Sequence, residues 1–255
     1  MEIAAITGYV DLAQLLLYAF WLFFAGLIYY LVREGHREGY PMETDGLGQA
    51  PRGWPIPSSP KIFKLADGSS VVIPDLSRRE PPVSAVRTGS SPGLPIEPVG
   101  NPMFANAGPG GYAMRADVAD KNSHGDAAIA PLRILKGFSV AKQDVDPRGL
   151  PVVCADGKTA GTVREVWVDR SEMVVRYLEV AVPNAAKGPH VMLPINFARV
   201  GRDKVKVASI LGHHLTDVPR IKNPDEITML EEERVMAYYG AGTLYAEPSR
   251  MGPWI

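Results

Sequence analysis

The chain has 255 residues, 22% of them charged, with a net charge of −1, so no strong field of either sign argues for a nucleic-acid partner. Its one cysteine, Cys154, excludes an internal disulfide and suits a reducing compartment. Gly (25) and Pro (23) are abundant and unevenly placed, so the chain does not read as one uniform globule.

The dominant element comes early. Residues 12–32, LAQLLLYAFWLFFAGLIYYLV, carry no charge, and Gln14 is their only strongly polar side chain. A helix of that length spans roughly 31 Å, the thickness of a hydrocarbon core. It is apolar all round, as a helix in lipid must be, and Tyr29 and Tyr30 stand where an interfacial belt is expected. Asp11 is placed to cap its first turn. A cleaved signal would need a basic start and a shorter apolar run, whereas Glu2 and Asp11 precede this one. The segment therefore reads as a retained anchor. Arg33, His36 and Arg37 follow it with no basic residue before it, which predicts an outer N-terminus and a cytoplasmic remainder. The helix is expected to run on for a turn or more, with Pro41 as the stop.

From residue 41 to about 131 the chain reads as irregular, and twelve of the thirty residues 81–110 are Pro or Gly. One hairpin is legible: Ile62–Leu65 and Ser70–Ile73 flank Asp67-Gly68, which tolerates the positive φ of a tight turn. Phe63, Leu65, Val72, Ile73, Leu94, Ile96, Met103, Phe104 and Tyr112 are too many hydrophobes for a free linker. The segment is better explained as laid along another surface, either the C-terminal domain or a partner.

Beyond about residue 132 short β-branched strands alternate with turns: residues 150–154, 161–168, 174–182, 190–195 and 205–207. This is the pattern of a small antiparallel barrel. Thr228 and Glu231 form a capping box that opens a helix through Glu232, Arg234, Met236 and Tyr239, with Gly240 and Gly242 expected to close it. The plan divides into residues 1–40, a short N-terminal segment and membrane helix; 41–130, an extended segment with a hairpin; and 131–255, a β domain with helix and tail.

Little in the residues points to catalysis. There is no phosphate loop, dinucleotide fingerprint, GxSxG elbow or HExxH. His213-His214 is a loop pair that cannot converge on a metal without other ligands. His124 and Asp126, two residues apart, could share a cation as half a site, or simply be solvated. Asp169, Glu172 and Arg176 fall in a strand-to-strand turn. They read either as a solvated ion pair worth about 0–1 kcal/mol or as carboxylates near a partner's buried site, whose proton affinity responds to charge there.

Several stretches in combination resemble one family. They are the anchor AFWLFFAGLIYYL, Arg37-Glu38-Gly39-Tyr40-Pro41, Gly100-Asn101-Pro102-Met103, residues 146–152 (DPRGLPV), Trp167-Val168-Asp169 with residues 176–180 (RYLEV), and the tail from Thr228 to Ala246. The chain is similar, over essentially its full length, to the H subunit of the photosynthetic reaction centre of purple bacteria. The resemblance implies a single transmembrane α-helix plus a mainly antiparallel β cytoplasmic domain, a PRC-type small barrel, with one C-terminal helix. It implies a non-enzymatic subunit in the bacterial inner, intracytoplasmic membrane, N-terminus periplasmic and C-terminal domain cytoplasmic. Such a subunit caps the two pigment-binding subunits, shields the quinone sites and conducts protons to the secondary quinone. It binds no cofactor directly; bacteriochlorophyll, bacteriopheophytin, quinones and non-haem iron belong to the partners. Light-harvesting antenna, a cytochrome subunit and membrane lipids are further neighbours, and nucleic acid is not one.

By position, Asp169, Glu172 and Arg176 match residues near the proton path, and His124 matches a surface histidine at the point of proton uptake that can bind a divalent metal. Asp126 stands where some relatives have a second histidine and Asn122 where some have aspartate, so metal binding by His124 and Asp126 is expected to be weak. Gly26 and Tyr30 match the stretch that borders a bound lipid. A barrel on an anchor would also suit a second role, a membrane-tethered adaptor that docks a soluble partner.

Overall fold

In the computed structural model the described residues are 5–7, 10–38, 59–73, 75, 81–90, 94–183 and 190–251. The chain forms two compact units: Met1–Arg78 with Gly89–Pro95, and Arg79–Thr88 with Ile96–Ile255.

In the first unit, strands β1 (Ala5–Thr7) and β2 (Val10–Asp11) pair ahead of helix α1 (Leu12–Arg37). The cap is the expected one. Asp11 Oδ1 accepts from Gln14 N at 2.7 Å, and Gln14 Oε1 accepts from Asp11 N at 3.3 Å, so unpaired donors of the first turn are satisfied reciprocally. None of α1 is buried within the chain, and it is long and apolar enough to cross a membrane. It continues past residue 32 to Arg37 as expected; Gly39, Tyr40 and Pro41 lie outside the described residues. Strands β3 (Lys61–Lys64) and β4 (Ser70–Ile73) form the expected hairpin, with Gly68 at φ +84° in its turn. Arg33 Nη2 donates to Ser59 Oγ and Arg37 Nε to Ser59 O, both at 3.1 Å, so the approach to β3 is fastened to the last turns of α1.

The second unit opens with a hairpin that the sequence reading passed over as irregular, β5 (Ala85–Arg87) against β6 (Ile96–Pro98). Its strands are three residues each and are joined by eight, 88–95, inside the Pro/Gly-rich stretch, so no short hairpin turn announces them. β7 (Ile129–Pro131) was likewise expected to be irregular. It is wholly buried and lies along the strand β9 (Thr159–Asp169). Pro131 is tolerated at the end of so short a flanking strand.

The sheet continues through β8 (Pro151–Val153), β9, β10 (Val174–Ala181), β11 (His190–Pro194), β12 (Ala198–Val200) and β13 (Val205–Val207). Its order is β11-β10-β9-β8-β13-β12, with β7 also on β9: a seven-stranded half-barrel, antiparallel except where β13 meets β8. Val152, Val163, Val166, Trp167, Leu178, Val180, Leu193 and Val205 fill it.

Helix α2 (Met229–Tyr245) seals the core with Val235 and Tyr239. Its capping box is present, Glu231 N donating to Thr228 Oγ1 at 3.2 Å and Thr228 N to Glu231 Oε2 at 2.9 Å. Gly240 and Gly242 do not close it; the helix runs through both to Tyr245. They are glycines because other backbone presses on them. A Cβ on Gly240 would strike the carbonyl oxygen of Pro109, and one on Gly242 would lie 2.7 Å from Ser209 O. So residues 102–110 of the Pro/Gly-rich stretch lie along α2, with Met103, Ala105, Ala107 and Gly110 buried. For this part the surface is the chain's own helix.

Candidate functional site

The turn between β9 and β10 is built on Asp169. Asp169 closes β9 with only 6% of its surface exposed. Its Oδ1 accepts from Ser171 N at 2.9 Å and Glu172 N at 3.1 Å, an Asx-type turn. Met173 takes the left-handed conformation at φ 59° and donates its N–H to Asp169 O. A side chain with a Cβ pays a small strain there, which the flanking ladder holds in place.

Arg176 owes its position to an irregularity. Val175 pairs with Val168 and Tyr177 with Trp167, so Arg176 has no partner across the ladder: a β-bulge. The extra residue sends its guanidinium back over the turn. Nη2 lies 3.2 Å from Asp169 Oδ2 and 2.8 Å from Glu172 Oε2. One cation thus bridges a buried carboxylate and an exposed one. Burial raises the Asp169 proton affinity, but the two backbone N–H groups and Arg176 outweigh it and hold the carboxyl below its ordinary value.

The loop of His124 and Asp126 comes to the same place. Asn122 Oδ1 accepts from His124 N at 2.9 Å and Asp126 N at 3.0 Å, and Gly125 sits at φ 87°. Arg170, next to Asp169, ties the loop down: its N–H donates to Ala128 O at 2.9 Å, its guanidinium to Ala127 O, and Nη1 lies 3.5 Å from Asp126 Oδ2. Asp169, Glu172 and Arg176 therefore share one turn, and Asp126 reaches it through Arg170; His124 sits in the same loop as Asp126, its N–H on Asn122. Among the described residues no three or more His, Cys, Asp or Glu side chains are grouped to hold a metal. One oxygen of Asp126 already faces Arg170.

One pairing, Tyr177 with Glu232, escaped the sequence reading. A groove of about 480 Å³ beside the turn is lined by Arg115, Arg176, Tyr177, Asn196, Glu232 and Glu233, among others. Tyr177 Oη donates to Glu232 Oε2 at 2.8 Å. Burial pushes the Glu232 carboxyl above its ordinary value; Tyr177, Arg115 and Arg176 oppose this only in part. Glu232 lies one residue beyond the capping Glu231, and no local pattern announces that it meets a tyrosine far back in the sequence. Gly26 and Tyr30 are four apart on one face of α1, with open space over Gly26 and Tyr30 exposed.

Fold and site together describe a protein with, among the described residues, one helix long and apolar enough to cross a membrane, and a half-barrel domain that displays a carboxylate–guanidinium cluster at a turn. Residues 4–134 match the family model described as photosynthetic reaction centre, H-chain N-terminal region, and residues 141–214 match that of the PRC-barrel domain. The first match alone covers more than half of the chain. The chain belongs to the H-chain family of the photosynthetic reaction centre, a family of non-catalytic subunits that associate with the other reaction-centre subunits.

Proposed function

We propose that this subunit caps the cytoplasmic side of the two pigment-binding subunits, shields their quinone sites and conducts protons to the secondary quinone. The observation that carries this reading is Arg176, held by its bulge between Asp169 and Glu172 on the edge of a groove that also holds Glu232. Membership of the H-chain family favours it over a tethered adaptor. α1 is the single span, its N-terminus periplasmic and the half-barrel cytoplasmic, in the bacterial inner membrane. Gly26 and Tyr30 offer lipid a flat face. Antenna and cytochrome subunits are neighbours of the assembled complex. The pigments, quinones and non-haem iron remain on the partner subunits.

The secondary quinone, when reduced, supplies negative charge in a poorly solvated site and takes up protons. Glu172 faces water, with its side chain 60% exposed, and can accept a proton from the cytoplasmic side. Arg176 Nη2, 2.8 Å away, holds its carboxylate at the edge of the groove that Glu232 also lines, within reach of a next carrier. Asp169, ionised and buried, fixes Arg176 and is a positioning residue. His124 and Asp126 form the point of uptake. A divalent ion there would be weakly held, because two protein ligands leave most of the coordination shell to water.

Glu172→Gln keeps the shape and removes the titration. Flash-induced reduction of the quinone and proton uptake, followed across pH, should show a slower second electron transfer with primary charge separation unchanged. An unaltered second-electron rate at every pH would reduce Glu172 to a solvated turn residue.

A further inference from the structure

The β3–β4 hairpin is a separate two-stranded sheet, unlike the strand pairs of the half-barrel: all eight of its strand residues are exposed. Its ladder places Phe63 opposite Val71 and Lys61 opposite Ile73 on one face, and Ile62 opposite Val72 and Lys64 opposite Ser70 on the other. Both faces are therefore apolar, and each carries one lysine. A protein surface covers one face of such a ribbon and leaves the other in water. A medium that surrounds the ribbon covers both.

The attachment to α1 fixes which medium. Arg33 is the first charged residue after the apolar span, and with Arg37 it holds Ser59, two residues before β3. Lys61 Nζ adds a contact with Glu34 Oε2 at 3.7 Å. The hairpin thus begins at the level where the hydrocarbon ends, and four residues of strand extend it by only roughly 13 Å. Its outer strand edges pair with nothing among the described residues, and such backbone groups need water or headgroup oxygens, which the acyl core lacks.

We propose that the β3–β4 ribbon lies in the headgroup layer of the cytoplasmic leaflet beside α1, a second membrane contact of this chain. Ile62, Phe63, Val71 and Val72 enter the acyl boundary. Lys64 lays its stem along it and lifts its ammonium group to lipid phosphates, while Lys61 stays beside Glu34. The polar turn with Asp67 and Ser69, the two bonded to each other at 2.6 Å, stays in water. The inference rests on the reading that α1 crosses the bilayer.

The test uses the full chain with single nitroxide labels at Ile62→Cys, Phe63→Cys and Val72→Cys, with Ser69→Cys and Leu22→Cys as references; Cys154 is buried and out of reach. Each labelled chain is reconstituted in phosphatidylcholine–phosphatidylglycerol vesicles, then bound to the other reaction-centre subunits. Collision with lipid-soluble oxygen is compared with collision with a water-soluble nickel chelate. Oxygen should prevail severalfold at positions 62, 63 and 72 relative to 69, before and after assembly. Nickel prevailing at those three positions while Leu22→Cys reads lipid would overturn the ribbon's placement and leave the span intact. Loss of both collisions on assembly would assign the ribbon to a partner protein and overturn it too. A water reading at Leu22→Cys would remove the span and the ribbon's placement together.

Discussion

Two hairpins in this chain are built on the same turn chemistry and come to opposite ends. In β3–β4, Asp67 Oδ1 accepts from Ser69 N at 2.9 Å; in β9–β10, Asp169 Oδ1 accepts from Ser171 N at 2.9 Å. Each has a cation reaching back from a strand to a carboxylate, Lys61 to Glu34 and Arg176 to Asp169. Yet Leu178 in β10 is wholly buried while Ile62 in β3 is 67% exposed. A two-stranded ribbon is marginal on its own. β9–β10 is flanked by β7, β8 and β11, and α2 forms one wall of the groove beside it. β3–β4 has none of these. The turn alone therefore does not make a site. A site needs a carboxylate taken out of water, and only packing does that.

The contrast should be largest in stability. Leu178→Ala is expected to cost about 2–5 kcal/mol, a lost side chain plus the cavity left behind. Ile62→Ala should stay within about 0.5 kcal/mol. Urea unfolding of the full chain in mild detergent, followed by tryptophan fluorescence, measures both. Equal costs would mean that the ribbon shares the core's cooperativity.

A smaller separation is expected at the cations. Arg176→Met leaves the buried Asp169 Oδ2 without its donor and should cost about 1–3 kcal/mol. Lys61→Met removes an exposed contact and should cost no more than about 1 kcal/mol. The same unfolding assay decides. A matching cost would place Arg176 among ordinary surface ion pairs.

The smallest difference concerns acid. Asp169 and Asp67 are both held below the ordinary carboxylate value, Asp169 against its own burial and Asp67 chiefly by the Ser69 hydroxyl and N–H. A lowered value means stability that is present above the unfolded pKa, about 3.9, and lost as pH falls through the folded one. Asp169→Asn should therefore flatten the loss of stability below about pH 4, while Asp67→Asn leaves the half-barrel's acid unfolding curve where it was. Unfolding midpoints taken across that range test this, and a flat curve in the unaltered chain would remove the role given to Asp169.

How much of this was legible depends on the reach of each interaction. The cap of Asp11 on Gln14, the box of Thr228 and Glu231, and the β3–β4 turn are four-residue or five-residue events, and local residue types announce them. Gly240 and Gly242 carry the signal of a helix end, but their meaning lies in Pro109 and Ser209, far off in sequence. The trio Asp169, Glu172 and Arg176 was visible as a cluster of charges, and its resemblance to a family gave it a role. Its geometry was not visible, since a bulge shows only against the partner strand. Tyr177 and Glu232 meet across the domain and leave no local trace.

The bulge at Arg176 has a consequence for how this site can change. Deleting Arg176 would restore an unbroken ladder from Val168 to Trp167, a more regular sheet by any measure of pairing. It would also turn Val174 and Val175 to the opposite faces and take away the guanidinium. Regularity and this cluster are thus alternatives at a single position, one codon apart. Drift toward the better sheet erases the site in one step, whereas changes in the turn itself, from Arg170 to Met173, leave the parity of Trp167, Tyr177 and Leu178 untouched. Substitutions in the turn can remove Glu172 or Arg170 without disturbing the sheet; a change in the count of residues behind it disturbs both.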